Sequence, residues 1–96
     1  MRRGSSAERG YGARWGKYRA AWLRLHPLCG DRCSTASPEH SLCLQQGRIA
    51  PAREVDHIHP AKPDDPQFWD AANLQSLCHR CHSTKTATHD RGFGNK

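Results

Sequence analysis

Asn73-Leu74-Gln75-Ser76-Leu77-Cys78-His79-Arg80-Cys81-His82 is the stretch on which the reading of this chain turns. Leu74 to Leu77 reads as a short β-strand. Cys78 and Cys81 follow in Cys-x-x-Cys spacing. A tight turn with that spacing brings two thiolates onto one tetrahedral metal ion. His82 comes next, and residues 79–90 predict a final helix, polar and basic in parts.

Upstream, Arg53 to Ile58 predicts another short strand, with Val55 and Ile58 as its apolar members. Asp56-His57 lies toward its end. Side chains alternate along a strand, so these two are expected on opposite sides. Asn73 stands 16 residues after His57. A carboxylate and two imidazoles can hold one divalent ion and still leave one base. Phosphodiester hydrolysis needs both: a cation on the phosphoryl oxygens and an imidazole that takes a proton from water. Each residue also has a plain reading. An Asp-His pair is common, a loop histidine is usually solvated, and His82 beside the knuckle can instead belong to a structural metal site. Their meeting around a knuckle in a basic chain favours the functional reading.

Composition explains why a structural metal is expected. The chain has 96 residues, and Leu, Ile, Val and Phe together supply only 12 of them. That lies below the roughly 20% at which a chain this polar tends to stay unfolded. Mean hydropathy is −0.91. Small domains make up such a deficit with disulfides or a metal. Five cysteines cannot all pair, the leading residues show no secretory pattern, and no apolar run is long enough to span a membrane. A reducing, cytoplasmic setting and a zinc site are therefore expected. A redox dithiol at Cys78 and Cys81 is weakened by three further cysteines and by the missing βαβ pattern. The second pair of ligands stays open among Cys29, Cys33, Cys43 and His40.

The formal charge is +6. Residues 1–24 carry Arg2, Arg3, Arg9, Arg14, Lys17, Arg19 and Arg24 against one acid, Glu8, and the remainder is balanced. Residues 1–13 read as a flexible basic arm. Arg2, Arg3 and Arg9 suit the phosphates of a polyanion, with a solubility tail as the plain alternative. Residues 14–26 predict a helix. Trp15, Tyr18, Trp22 and Leu25 share one face, read as core, and Pro27 ends the helix. Residues 28–52, punctuated by Gly30, Pro38, Gly47 and Pro51, are expected to be irregular. Pro60, Pro63 and Pro66 make a loop, and Phe68 and Trp69 then supply apolar bulk.

Taken together, Glu54-Val55-Asp56-His57-Ile58-His59-Pro60 and Asn73 through Lys85 resemble the HNH endonuclease signature. The likeness is to the small phage-type members with a zinc-binding four-cysteine set. His26-Pro27-Leu28-Cys29 and residues 43–52 resemble that family's upstream cysteine region. The likeness covers residues 20–94.

It implies a small α+β fold of the ββα-metal (His-Me finger) kind, with an N-terminal helix and a structural zinc site, over residues 14–94. By position, Asp56 and His82 resemble the ligands of the catalytic metal, which is Mg²⁺, Mn²⁺, Ni²⁺ or Zn²⁺. His57 resembles the general base, and Asn73 the residue that braces the loop orienting it. Cys29, Cys43, Cys78 and Cys81 resemble the zinc ligands. Thirteen residues separate Cys29 from Cys43, where the family usually has a short Cys-x-x-Cys, so Cys33 or His40 remains a substitute for Cys29. Arg80 and Lys85 are candidate phosphate contacts. The implied protein is a DNA endonuclease or nickase of phage or prophage, acting in the host cytoplasm beside the DNA-packaging terminase. The competing class is a non-catalytic zinc module that binds DNA or protein.

Overall fold

The structure is a computed structural model. It describes residues 6–90, with side chains over 12–88. Helix α1 is Ser6–Leu25, α2 is Leu42–Gln45, strand β1 is Glu54–His57, and α3 is Pro66–Trp69. A 3₁₀ turn at Ala71–Asn73 leads into β2, Leu74–Leu77, and α4 follows at His79–Lys85. Thr86–Asp90 continues α4 with π-helical hydrogen bonding. Among the described residues, no helix is long and apolar enough to cross a membrane.

β1 and β2 pair antiparallel, with Glu54 opposite Leu77, Val55 opposite Ser76, Asp56 opposite Gln75 and His57 opposite Leu74. The pairing extends beyond both ends through Arg53 N–H to Leu77 O and Ile58 N–H to Asn73 O. The six-residue strand expected at 53–58 is therefore a four-residue core with one flanking bond at each end. The far edge of β2 is also covered. Gly30 N–H donates to Ser76 O, Ser76 N–H donates to Asp31 O, and Arg32 forms an isolated bridge opposite Gln75. Flanked on both sides, every residue of β2 is buried. Gly30 adopts φ +98°, and a Cβ there would collide with Leu44 and crowd Ser37 O, so the position requires glycine.

Two small cores lie on either side of this sheet. One joins Trp22, Val55 and Leu74, with Trp15, Tyr18, Leu23 and Ala71 packed against them. The other joins Cys29, Cys43, Leu77 and Cys81, with Leu42, Ala50 and Cys78 around them. Cysteine stands in for aliphatic side chains in the second core, as the thin apolar supply leads one to expect.

Three expectations change. Helix α1 begins at Ser6, eight residues before the start expected at residue 14. Gly10, Gly12 and Gly16 cost about 1 kcal/mol each against alanine, too little to stop a helix anchored by its aromatic face. Leu25, read as the last member of that face, is 77% exposed. The buried face ends one turn earlier at Trp22, which is 5% exposed and packs with Val55 and Leu74 of the sheet. Lastly, the stretch expected to be irregular contains α2, whose N-cap Ser41 accepts from Leu44 N–H.

Candidate active site and metal centre

The cysteine cluster is built by three separate pieces of backbone. Cys29 sits on the turn that ends in Gly30, Cys43 lies in α2, and Cys78 and Cys81 flank the start of α4. Their four sulfur atoms all lie within 4.8 Å of one another. Four sulfurs held about 2.3 Å from one tetrahedral ion stand about 3.8 Å apart. Cys43 Sγ and Cys78 Sγ are 3.8 Å apart. The cluster fits a zinc site. Burial pushes the Cys29 thiol up to about 12, so without a cation the thiol form prevails at neutral pH. The two open substitutes lie elsewhere. Cys33 is exposed and its thiol donates to Ala71 O. His40 Nδ1 accepts from Gln75 Nε2 at 3.0 Å.

Asp56 and His57 leave β1 on opposite sides, as alternation requires. Asp56 points toward α4 and is 6% exposed. Its Oδ1 lies 3.4 Å from His82 Nε2, one helical turn past the first cysteine of the knuckle. Its Oδ2 accepts from Gln75 Nε2 at 2.9 Å and pairs with Lys85 Nζ at 3.2 Å. Burial opposes the Asp56 charge, but the His82 and Gln75 hydrogen bonds and the Lys85 ammonium outweigh it and hold the carboxyl below its usual range. The same hydrogen bond to Asp56 raises His82, against the opposing effect of burial. Two ligand atoms about 2.1 Å from one ion at the tetrahedral angle stand about 3.4 Å apart, so this pair fits one divalent cation.

His57 faces the other core. Its ring lies 4.3 Å from Phe68 and stacks on Trp15 at 5.3 Å and 20°. Nε2 is 2.9 Å from Phe68 O. A carbonyl only accepts, so Nε2 carries the hydrogen and Nδ1 is left with the basic lone pair. Asn73 closes the loop that carries Phe68. Its Oδ1 accepts from His59 N–H, and its Nδ2 donates to His59 O and to Gln67 O, all at 2.9–3.1 Å. The carbonyl that holds His57 belongs to the residue after Gln67.

The remaining candidates are dispersed. Arg80 is exposed on α4. Lys85 is 2% exposed and turned inward onto Asp56, away from the open helix face where a phosphate contact was expected. At seven residues α4 is short, and Lys85 at its end reaches Asp56 of β1. His59 is exposed, and the His79 side chain points outward, 3.5 Å from Glu54. Arg2 and Arg3 lie outside the described residues, as does the Arg9 side chain.

Sequence reasoning missed Gln75, Arg32 and Trp15 as parts of the site. Gln75 carried a usable signal. It is a polar residue in a strand between Leu74 and Leu77, directly opposite Asp56 in the natural antiparallel register. Arg32 carried none, because its place depends on how residues 29–32 fold back onto β2.

The HNH endonuclease family model matches residues 41–88, half of the chain. No curated protein and no solved structure gives a significant match. The site described above and this match define a nuclease domain of the ββα-metal class. The chain belongs to the HNH endonuclease family.

Proposed function

We propose that the chain is a divalent-metal-dependent DNA endonuclease or nickase that hydrolyses phosphodiester bonds. The observation that carries this reading is the 3.4 Å approach of Asp56 Oδ1 to His82 Nε2, with His57 turned to the opposite face of the same strand. A module that only binds has no use for a buried carboxylate and a part-exposed imidazole converging at ligand distance, which favours catalysis over the non-catalytic zinc module.

Asp56 and His82 hold the catalytic metal, one of Mg²⁺, Mn²⁺, Ni²⁺ or Zn²⁺. When bound, such an ion neutralises charge on the phosphoryl group and stabilises the leaving oxygen. His57 acts as the base. Its Nε2–H is fixed on Phe68 O, so Nδ1 takes the proton from the attacking water. The flanking Trp15 and Phe68 rings restrict the imidazole to that orientation. Asn73 braces the loop that supplies the Phe68 carbonyl. The family resemblance implies that the 3′-oxygen is the leaving group, which gives 5′-phosphate and 3′-hydroxyl ends.

Cys29, Cys43, Cys78 and Cys81 hold a structural zinc. The nuclease domain occupies residues 14–94, with residues 1–13 as a basic arm; Arg2, Arg3, Arg9 and Arg80 contact DNA phosphates. Lys85 serves the Asp56 carboxylate from within the domain. The sequence resemblance supports a phage or prophage origin, action in the host cytoplasm, and the packaging terminase as partner. A plasmid nicking assay tests the reading. Chelator should abolish nicking, and one of the four divalent ions should restore it. Nicking that survives full chelation contradicts a metal-dependent mechanism.

A further inference from the structure

We propose that Arg32, acting through Gln75, is a positioning residue for the Asp56 carboxylate and thereby sets how tightly the Asp56–His82 site takes a divalent cation. The proposal rests on the reading of Asp56 and His82 as metal ligands. It concerns a residue upstream of the segment that the HNH family model matches.

Three residues form one row across the sheet. Arg32 bridges Gln75 on one edge of β2, and Asp56 faces Gln75 on the other. Directly opposite residues share a face, so all three side chains meet on the α4 side. Gln75 is fully buried. A buried amide beside a carboxylate has one useful orientation and one harmful one, because its oxygen would repel Asp56. Arg32 makes the choice. Its Nε and Nη2 both donate to Gln75 Oε1, at 3.2 and 2.9 Å. That draws the oxygen away and leaves Nε2 to donate to Asp56 Oδ2 at 2.9 Å and to His40 Nδ1 at 3.0 Å. Glu39 in turn holds the guanidinium at 3.0 Å.

The consequence falls on Asp56. Its Oδ2 is engaged by two donors, Gln75 and Lys85, so the carboxylate cannot rotate freely about its last torsion. Oδ1 is thereby kept opposite His82 Nε2. The carboxylate is presented as a one-oxygen ligand before any cation arrives. Partners that orient a ligand in this way typically change metal affinity by 10–100-fold when removed.

The test is calorimetric titration of the zinc-loaded full chain with Mn²⁺ alone, beside Arg32→Met, Gln75→Met and the double variant. Each single variant should bind Mn²⁺ about tenfold more weakly while keeping its zinc equivalent. The double variant should be no weaker than Gln75→Met, because the two residues act in series. A residue that only supports the fold would lower the melting temperature and leave Mn²⁺ affinity unchanged. Wild-type affinity in Arg32→Met, or losses that multiply in the double variant, would overturn the proposal. Should Arg32→Met fail to fold, Arg32→Lys keeps the charge but loses the two-nitrogen fork. It should bind Mn²⁺ measurably more weakly, and wild-type affinity there overturns the proposal equally. Asp56→Asn separates the two levels. If it binds Mn²⁺ as wild type does, the ligand reading itself fails and the proposal falls with it. If it loses Mn²⁺ while Arg32→Met does not, only the role of Arg32 fails.

Discussion

Asp56 Oδ1 and His82 Nε2 stand 3.4 Å apart, near enough to flank one cation and near enough to share one proton. The two occupants exclude each other. The Asp56 hydrogen bond raises His82 above its ordinary value of 6.5, so the imidazolium persists further toward neutrality than in a free histidine.

A pH dependence follows from that competition. A divalent ion needs neutral His82, the form that appears as pH rises through the raised value. Below it, each pH unit should weaken Mn²⁺ binding about tenfold, one proton being displaced per ion. Titrations over roughly pH 6 to 8.5 should place the bend above the usual imidazole value. Affinity that is flat across the acid half of that range would contradict the competition.

The cysteine cluster predicts a dependence of folding on zinc. Two of the four thiols are donated by a seven-residue helix and its cap, elements too short to stand alone. Structural zinc contributes about 10–16 kcal/mol in comparable small sites. Cys78→Ser and Cys81→Ser should therefore give largely unfolded chains by circular dichroism. Cys33→Ser, outside the cluster and exposed, should melt as wild type and keep its zinc equivalent. A zinc-free Cys81→Ser with an unchanged melting curve, or loss of zinc in Cys33→Ser, would remove the basis for this account.

Much of this architecture is legible in the sequence because it is local. Leu74 to Leu77 is bounded at both ends by its flanking residues, Asn73 and Cys78. The opposite facing of Asp56 and His57 requires only the two-residue period of a strand. The cluster membership of Cys29 is not legible. Cys33 and His40 offer equivalent chemistry, and the choice depends on the turn at Gly30, which places Cys29 inward and leaves Cys33 outside. The inward turn of Lys85 is hidden for a related reason. A lysine near a helix end is ordinarily solvated, and only the crossing of α4 over β1 brings this one onto Asp56. The start of α1 is obscured because residues 1–13 read as a flexible basic arm, while tertiary anchoring by Trp15, Tyr18 and Trp22 overrides the small local cost of the glycines.

The basic leading segment predicts a salt effect. If Arg2, Arg3 and Arg9 bind phosphates, replacing all three with glutamine should make the slope of log affinity against log salt shallower. The change should be about 0.9 for each phosphate no longer neutralised on duplex DNA. Substitution is preferable to deletion, since removing the segment would also cut into α1. An unchanged slope would mean that these arginines do not meet the DNA backbone.

The most direct test of the central claim separates the base from the ligands. His57 is held by Phe68 O on one face of β1, and Asp56 and His82 converge on the other. His57→Ala should keep the fold, the zinc and Mn²⁺ binding, and lose plasmid nicking by about 10²–10⁴-fold, the usual contribution of a positioned general base. His82→Ala should instead lose Mn²⁺ affinity, with part of its nicking restored by excess metal. Mn²⁺ calorimetry paired with a nicking assay on these two variants reads both quantities at once. The account predicts inactive but metal-competent His57→Ala. It is contradicted if His57→Ala nicks as fast as wild type, or if it abolishes Mn²⁺ binding while His82→Ala does not.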